Sequence, residues 1–175
     1  MKQESLRDKL PKTVQGGTNL EGAYRYTLWR VWNEQLPRIL FVLLNPSTAD
    51  AERDDPTLLR CFGFALREGC GSLEIVNLFA LRSAQPALLK TVHDPIGPEN
   101  DRTIVEAARR ANRIVLGWGT HGSCLGRDKA VLHLLAPYPL SCLAHTRAGQ
   151  PKHPLYCAYK PLICLSRTHE AGRTL

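Results

Sequence analysis

Residues 39–44, Ile-Leu-Phe-Val-Leu-Leu, form an uninterrupted apolar run that stops at Asn45-Pro46-Ser47-Thr48. A strand that is apolar on both faces has to be covered on both, which is the condition of a central strand in a sheet flanked by helices. The chain that follows keeps this alternation. Asp55 and Pro56 supply an N-cap and a first-turn proline, and Leu58, Leu59, Phe62, Ala65 and Leu66 recur at helical spacing up to Gly69. A second apolar strand spans 73–79, broken by Asn77, and Ser83 and Pro86 open a short helical segment carrying Leu88 and Leu89. Gly97 and Pro98 precede a helix over 100–111, followed by a strand over 113–118, a helix over 129–135 and a strand over 140–144. Upstream, the dense β-formers of 24–32 predict one more strand. The pattern predicts a three-layer α/β/α domain with a mostly parallel central sheet, whose ligand crevice lies outside the carboxyl ends of the strands.

A chain of 175 residues, 43% hydrophobic, suffices for one packed domain and falls short of two ordinary ones. Residues 21–175 are expected to form that α/β domain. Residues 1–20, polar and without periodicity up to Gly16, Gly17, Thr18 and Asn19, are expected to be a mobile arm. No apolar run reaches the roughly 18 to 20 residues of a membrane span, and residues 1–13 lack a signal-peptide core, so neither a membrane span nor export is expected. The six cysteines, Cys61, Cys70, Cys124, Cys142, Cys157 and Cys164, include no C-x-x-C pair. They read as reduced thiols of a cytoplasmic protein with neither metal nor other cofactor. The net charge of +7 divides into +2 over 1–50, −2 over 51–100 and +7 over 101–175. Such a basic excess suits a surface that meets phosphates, and equally a solvated helix face such as Arg109, Arg110 and Arg113.

Four polar signatures fall at or just after predicted strand ends: Asn45-Pro46-Ser47, Asn77, Trp118-Gly119 and His153-Pro154. In a parallel sheet such ends converge. An asparagine carries donors and an acceptor that suit a nucleobase edge, and a histidine can stabilise negative charge on a departing base. Each signature also has a plainer role. Asn45 and Pro46 can make a turn with Ser47 or Thr48 as a helix cap, Asn77 can satisfy a backbone group, Trp118 can be core between glycines, and His153 can be a surface loop residue. Glu99 and Asp101 suit the positive end of the helix that starts near Asn100, and are secondary site candidates. Cys124, Cys142 or Cys157 near His121, His145 or His153 would suit a cysteine nucleophile, though apolar surroundings favour packing.

Five stretches, LLNPSTAD, EIVNLFALR, DPIGPENDR, LGWG and GQPKHPLY, resemble a bacterial and phage domain-of-unknown-function family over about residues 24–165. More distantly, the same motifs resemble, in chain order, those of the uracil-DNA glycosylase superfamily. That resemblance implies a uracil-DNA-glycosylase-like fold and a catalytic pair, with Asn45 orienting water and His153 stabilising the leaving base. It further implies base reading by Asn77 within a pocket that includes Pro46, Ser47, Trp118, Gly119 and Pro154. Phe79 or Tyr156 would stack on the base, Leu155 would wedge into DNA, and Arg147 and Lys152 would contact phosphates. Two departures stand out: Leu43 replaces the superfamily's glycine, and Asn45 stands where many members carry a water-activating aspartate. The leading expectation is therefore a nucleobase-recognising N-glycosidic hydrolase acting on a nucleic acid or nucleoside. The competing one is a noncatalytic nucleic-acid or nucleotide-binding module with a glycosylase-like pocket.

Overall fold

A computed structural model describes residues 11, 13–47 and 54–165. Seven strands form one sheet in the order β1-β2-β4-β3-β5-β6-β7: β1 (Gln15–Glu21), β2 (Tyr24–Val31), β3 (Arg38–Leu43), β4 (Ser72–Asn77), β5 (Arg113–Leu116), β6 (Leu140–Cys142) and β7 (Ile163–Leu165). Among the described residues three α-helices are α1 (Pro56–Arg67), α2 (Asn100–Arg110) and α3 (Arg127–Leu134), and the segment Pro86–Lys90 is a short 3-10 helix. Among the described residues no helix is long and apolar enough to cross a membrane.

The apolar run of β3 packs on both sides, as a central strand must. Ile39, Phe41 and Leu43 join Leu73, Ile75 and Val115 beneath Leu58, Cys61, Phe62 and Ala65 of α1. Leu40 and Val42 join Val76, Ile114 and Leu116 against Ile104, Ala107 and Ala108 of α2 and Val131 of α3. Three layers result. Helix α1 starts where its sequence signals start: the Asp55 carboxylate accepts the Leu58 N–H at 2.8 Å, with Pro56 in the first turn. Such a cap is worth about 1 kcal/mol.

The sheet is mixed rather than mostly parallel. β3 runs parallel to β4 and β5, and β5 to β6, while β1–β2, β2–β4 and β6–β7 are antiparallel. A parallel crossover takes a dozen or more residues, and the link 32–37 between β2 and β3 is too short for one. Strand β2 therefore runs against the central strands and pairs with β4. The expected arm over 1–20 also needs correction, because its end is strand β1, joined to β2 through a tight turn at Gly22, whose φ is +57°. Residues 1–10 and Thr48, the alternative cap, lie outside the described residues.

The parallel strands end together. Leu43 is in register with Asn77, and Val42 with Leu116, so Asn77, Leu43 and Gly117 line up across the sheet on its α1 face. The segments that leave these ends build the site.

Candidate functional site

A cleft of about 590 Å³ opens at these carboxyl ends, and its walls include Asn45, Ser47, Asn77, Trp118, Gly119, Lys152, His153 and Tyr156. That volume falls in the range of about 300 to 1,000 Å³ typical of small-ligand sites.

Asn77 closes β4 and is 1% exposed. Its backbone is fixed from the far side of the sheet. Asn100 donates its amide to the carbonyls of Asn77 and Leu78, each at 3.0 Å, and Arg127 donates Nε to Leu78 O at 3.0 Å while pairing with Asp101 at 2.6 Å. The Asn77 side chain itself faces the cleft, and its Nδ2 has no hydrogen-bond partner among the described residues. A buried amide left unmatched costs about 1 to 3 kcal/mol, a cost that a ligand acceptor would remove.

Asn45 is half-buried, and its Nδ2 donates to Ser83 O at 2.7 Å and Pro46 O at 3.1 Å. Pro46 is buried, and its carbonyl accepts the Ser83 N–H, so two loops are pinned together behind the cleft wall. With its amide nitrogen committed, Asn45 has its carbonyl oxygen to offer a water or ligand. Ser47 is exposed on the cleft wall.

The His153 loop is docked on the end of β5. Trp118, 2% exposed, donates its indole N–H to Gln150 at 2.6 Å, and Gln150 donates in turn to Asp128 at 2.8 Å. Gly119, with φ of +75°, donates its N–H to Pro151 O at 2.8 Å. Buried Pro154 rests against Gly117, where a β-carbon would come within 3.0 Å of the proline ring. The glycines flanking Trp118 thus admit the loop that carries His153. There, Nδ1 of His153 accepts the Leu155 N–H at 3.3 Å, which in a neutral ring leaves the proton on Nε2. Burial pushes the imidazole pKa down from its usual value, opposed by the negative charge of Asp55. The net effect favours the neutral imidazole, whose Nε2–H is the donor. The Tyr156 ring, 68% exposed, stands 5.9 Å from the imidazole at the mouth.

Other candidates stand elsewhere. Phe79 is fully buried in the core beneath α2, so it cannot stack on a ligand in this cleft. Arg147 and Leu155 are exposed and do not line the cleft. Glu99 pairs with Arg102 and Asp101 with Arg127, also away from it. Cys142 Sγ lies 3.6 Å from His145 Nε2, but burial pushes the Cys142 and Cys157 thiols up, the opposite of nucleophile activation. Three of the C-terminal arginines are matched internally: Arg110 with Glu74, Arg113 with Glu68 and Arg127 with Asp101. The basic excess is therefore not one free patch.

Sequence reasoning missed Asp55 and Arg25, both on the cleft wall. Asp55 reads completely as a helix cap, which hides any second role. Arg25, 4% exposed, was signalled by a charge set between Tyr24 and Tyr26 in β2.

A family model described as Protein of unknown function (DUF1643) matches residues 25–155, from β2 through the His153 loop. Neither a curated protein nor a solved structure matches the chain.

Proposed function

The chain belongs to the DUF1643 family, and we propose that it is a nucleobase-recognising N-glycosidic hydrolase acting on a nucleic acid or a nucleoside. The observation that carries this reading is the Asn77 amide, buried on the cleft wall with an unmatched Nδ2, in the same cleft as His153. A nucleobase offers ring and carbonyl acceptors to such donors. As the glycosidic bond breaks, electrons move onto the base, and the Nε2–H of His153 would stabilise them. The Asn45 carbonyl would orient the attacking water. The likeness to uracil-DNA glycosylases belongs to this proposal, supported by the chain order in which Asn45, Asn77 and His153 reach one cleft.

Nucleic acid as the substrate is supported by Lys152 on the cleft wall and by the exposed Tyr156 and its neighbour Leu155. A base taken from a duplex must leave its stack at a cost of a few kcal/mol, which an inserted side chain can offset.

The test is to incubate excess protein with single- and double-stranded oligonucleotides and nucleosides carrying normal, deaminated and modified bases, and to measure released base by mass spectrometry. Release is expected, and His153→Ala should slow it about 100- to 1,000-fold with little change in substrate binding. A second reading, a noncatalytic binding module, is favoured by the engagement of Asn45 in pinning its loop to Ser83. Salt-sensitive binding without any released base at stoichiometric protein would select that reading.

A further inference from the structure

Hydrolysis needs a group that takes a proton from water, and the amide of Asn45 can orient a water without accepting that proton. Among the described residues Asp55 is the one carboxylate on the cleft wall. Its neighbour Asp54 is turned to Arg30, at 2.8 Å, and is not part of that wall. One oxygen of Asp55 is held by the Leu58 N–H at 2.8 Å, and no described residue bonds the other. The cap thus fixes the side chain in one orientation before any ligand arrives, so the carboxylate needs no reorganisation to act. The unmatched Asn77 amide on the same wall independently marks the cleft as a ligand site.

We propose that Asp55 is the general base of the cleft, a role that rests on the glycosidic reading above. In this step a water held by the Asn45 carbonyl gives a proton to the other oxygen of Asp55, and its oxygen bonds to the anomeric carbon. The bond from that carbon to the base nitrogen breaks, its electron pair leaves with the base, and the Nε2–H of His153 stabilises the departing charge. The ionised carboxylate also favours the positive charge that builds on the sugar. Arg25, His121, Lys152, His153 and Tyr156 are the other charged or titratable groups on the cleft wall, so the pH dependence of the step belongs to this set together with Asp55.

Asp55→Asn separates catalysis from structure, because asparagine caps a helix as well as aspartate does. The thermal midpoint and substrate affinity of this variant should stay near wild type. Single-turnover base release should fall about 100-fold or more. Asp55→Ser, which also keeps a cap, should regain part of its rate on addition of formate. Wild-type release of base with an undiminished rate in Asp55→Asn would overturn the assignment and leave the glycosidic reading standing. So would a loss of affinity equal to the loss of rate, or a failure of formate to restore turnover. Absence of base release from the wild-type protein would overturn both.

Discussion

Glu74 and Asn77 stand on the same strand, each 1% exposed, and are treated in opposite ways. Glu74 faces the α2 side, where Arg110 meets it at 2.5 and 2.9 Å, Arg38 at 3.4 Å and the Thr27 hydroxyl at 2.8 Å. Every part of that carboxylate is matched by the protein. Asn77 faces the α1 side, with its backbone clamped and its amide nitrogen unmatched. Burial of a polar group is therefore no sign of function in itself. The informative feature is a buried polar group whose surroundings are rigid and whose own capacity is unused.

The largest expected effect lies on the matched side. Replacing Arg38 and Arg110 together by Met leaves Glu74 buried without its counter-ions, and urea unfolding should show a loss of about 3 to 5 kcal/mol. Base release per folded molecule should not change. On the unmatched side, Asn77→Ala should lower base release about 100-fold while shifting stability by less than about 1 kcal/mol, since its Nδ2 has no hydrogen bond to lose among the described residues. A stability loss as large as that of the arginine double variant would break the comparison.

Asn100→Ala sharpens it from behind. Two buried hydrogen bonds to the end of β4 disappear, so stability should fall by about 1 to 3 kcal/mol, and base release should fall less than in Asn77→Ala. Chemical unfolding and single-turnover rates measured on the same preparation check both. The smallest effect concerns pH. The folded pKa of His153 lies below its unfolded value, so the unfolded chain binds more protons as pH falls through the ordinary histidine range near about 6.5. Wild-type stability should drop there relative to His153→Gln and the difference should level off above it, as thermal midpoints from pH 5 to 8 would show. In Asp55→Asn the His153 titration followed by NMR should move lower still, because the opposing negative charge is gone.

Much of the central architecture was legible because its signals are redundant. Strand β3 needs apolar cover on both faces, and α1 carries cap, proline and periodicity together. The flanking strands were not. β1 has Gly16, Gly17, Thr18 and Asn19 where alternation would be read, and its face is mostly exposed, so no buried pattern marks it. β7 is three residues long. In the cleft, Asn45, Asn77 and His153 were legible as polar interruptions at the ends of apolar segments. Phe79 was misplaced for a geometric reason. Alternation would set it on the face of Asn77, but the chain leaves the strand pattern there, and Leu78 and Phe79 both enter the core beneath α2. Asp55 was hidden by sufficiency: a carboxylate that fully explains a helix start shows no sign of a further role.

The order of the strands also governs when the cleft comes into being. The β1–β2 hairpin closes locally, but β3, β4, β5 and β6 pair only across intervening helices, and such non-local contacts form slowly, on the order of milliseconds to seconds. The wall bearing His153 docks on Gly117 and Gly119 only after β5 is in place. A chain emerging from the ribosome would already hold Asn45, Asp55 and Asn77, yet it would have no enclosed cleft until its last third arrived. The candidate site is thereby withheld from the unfinished polypeptide.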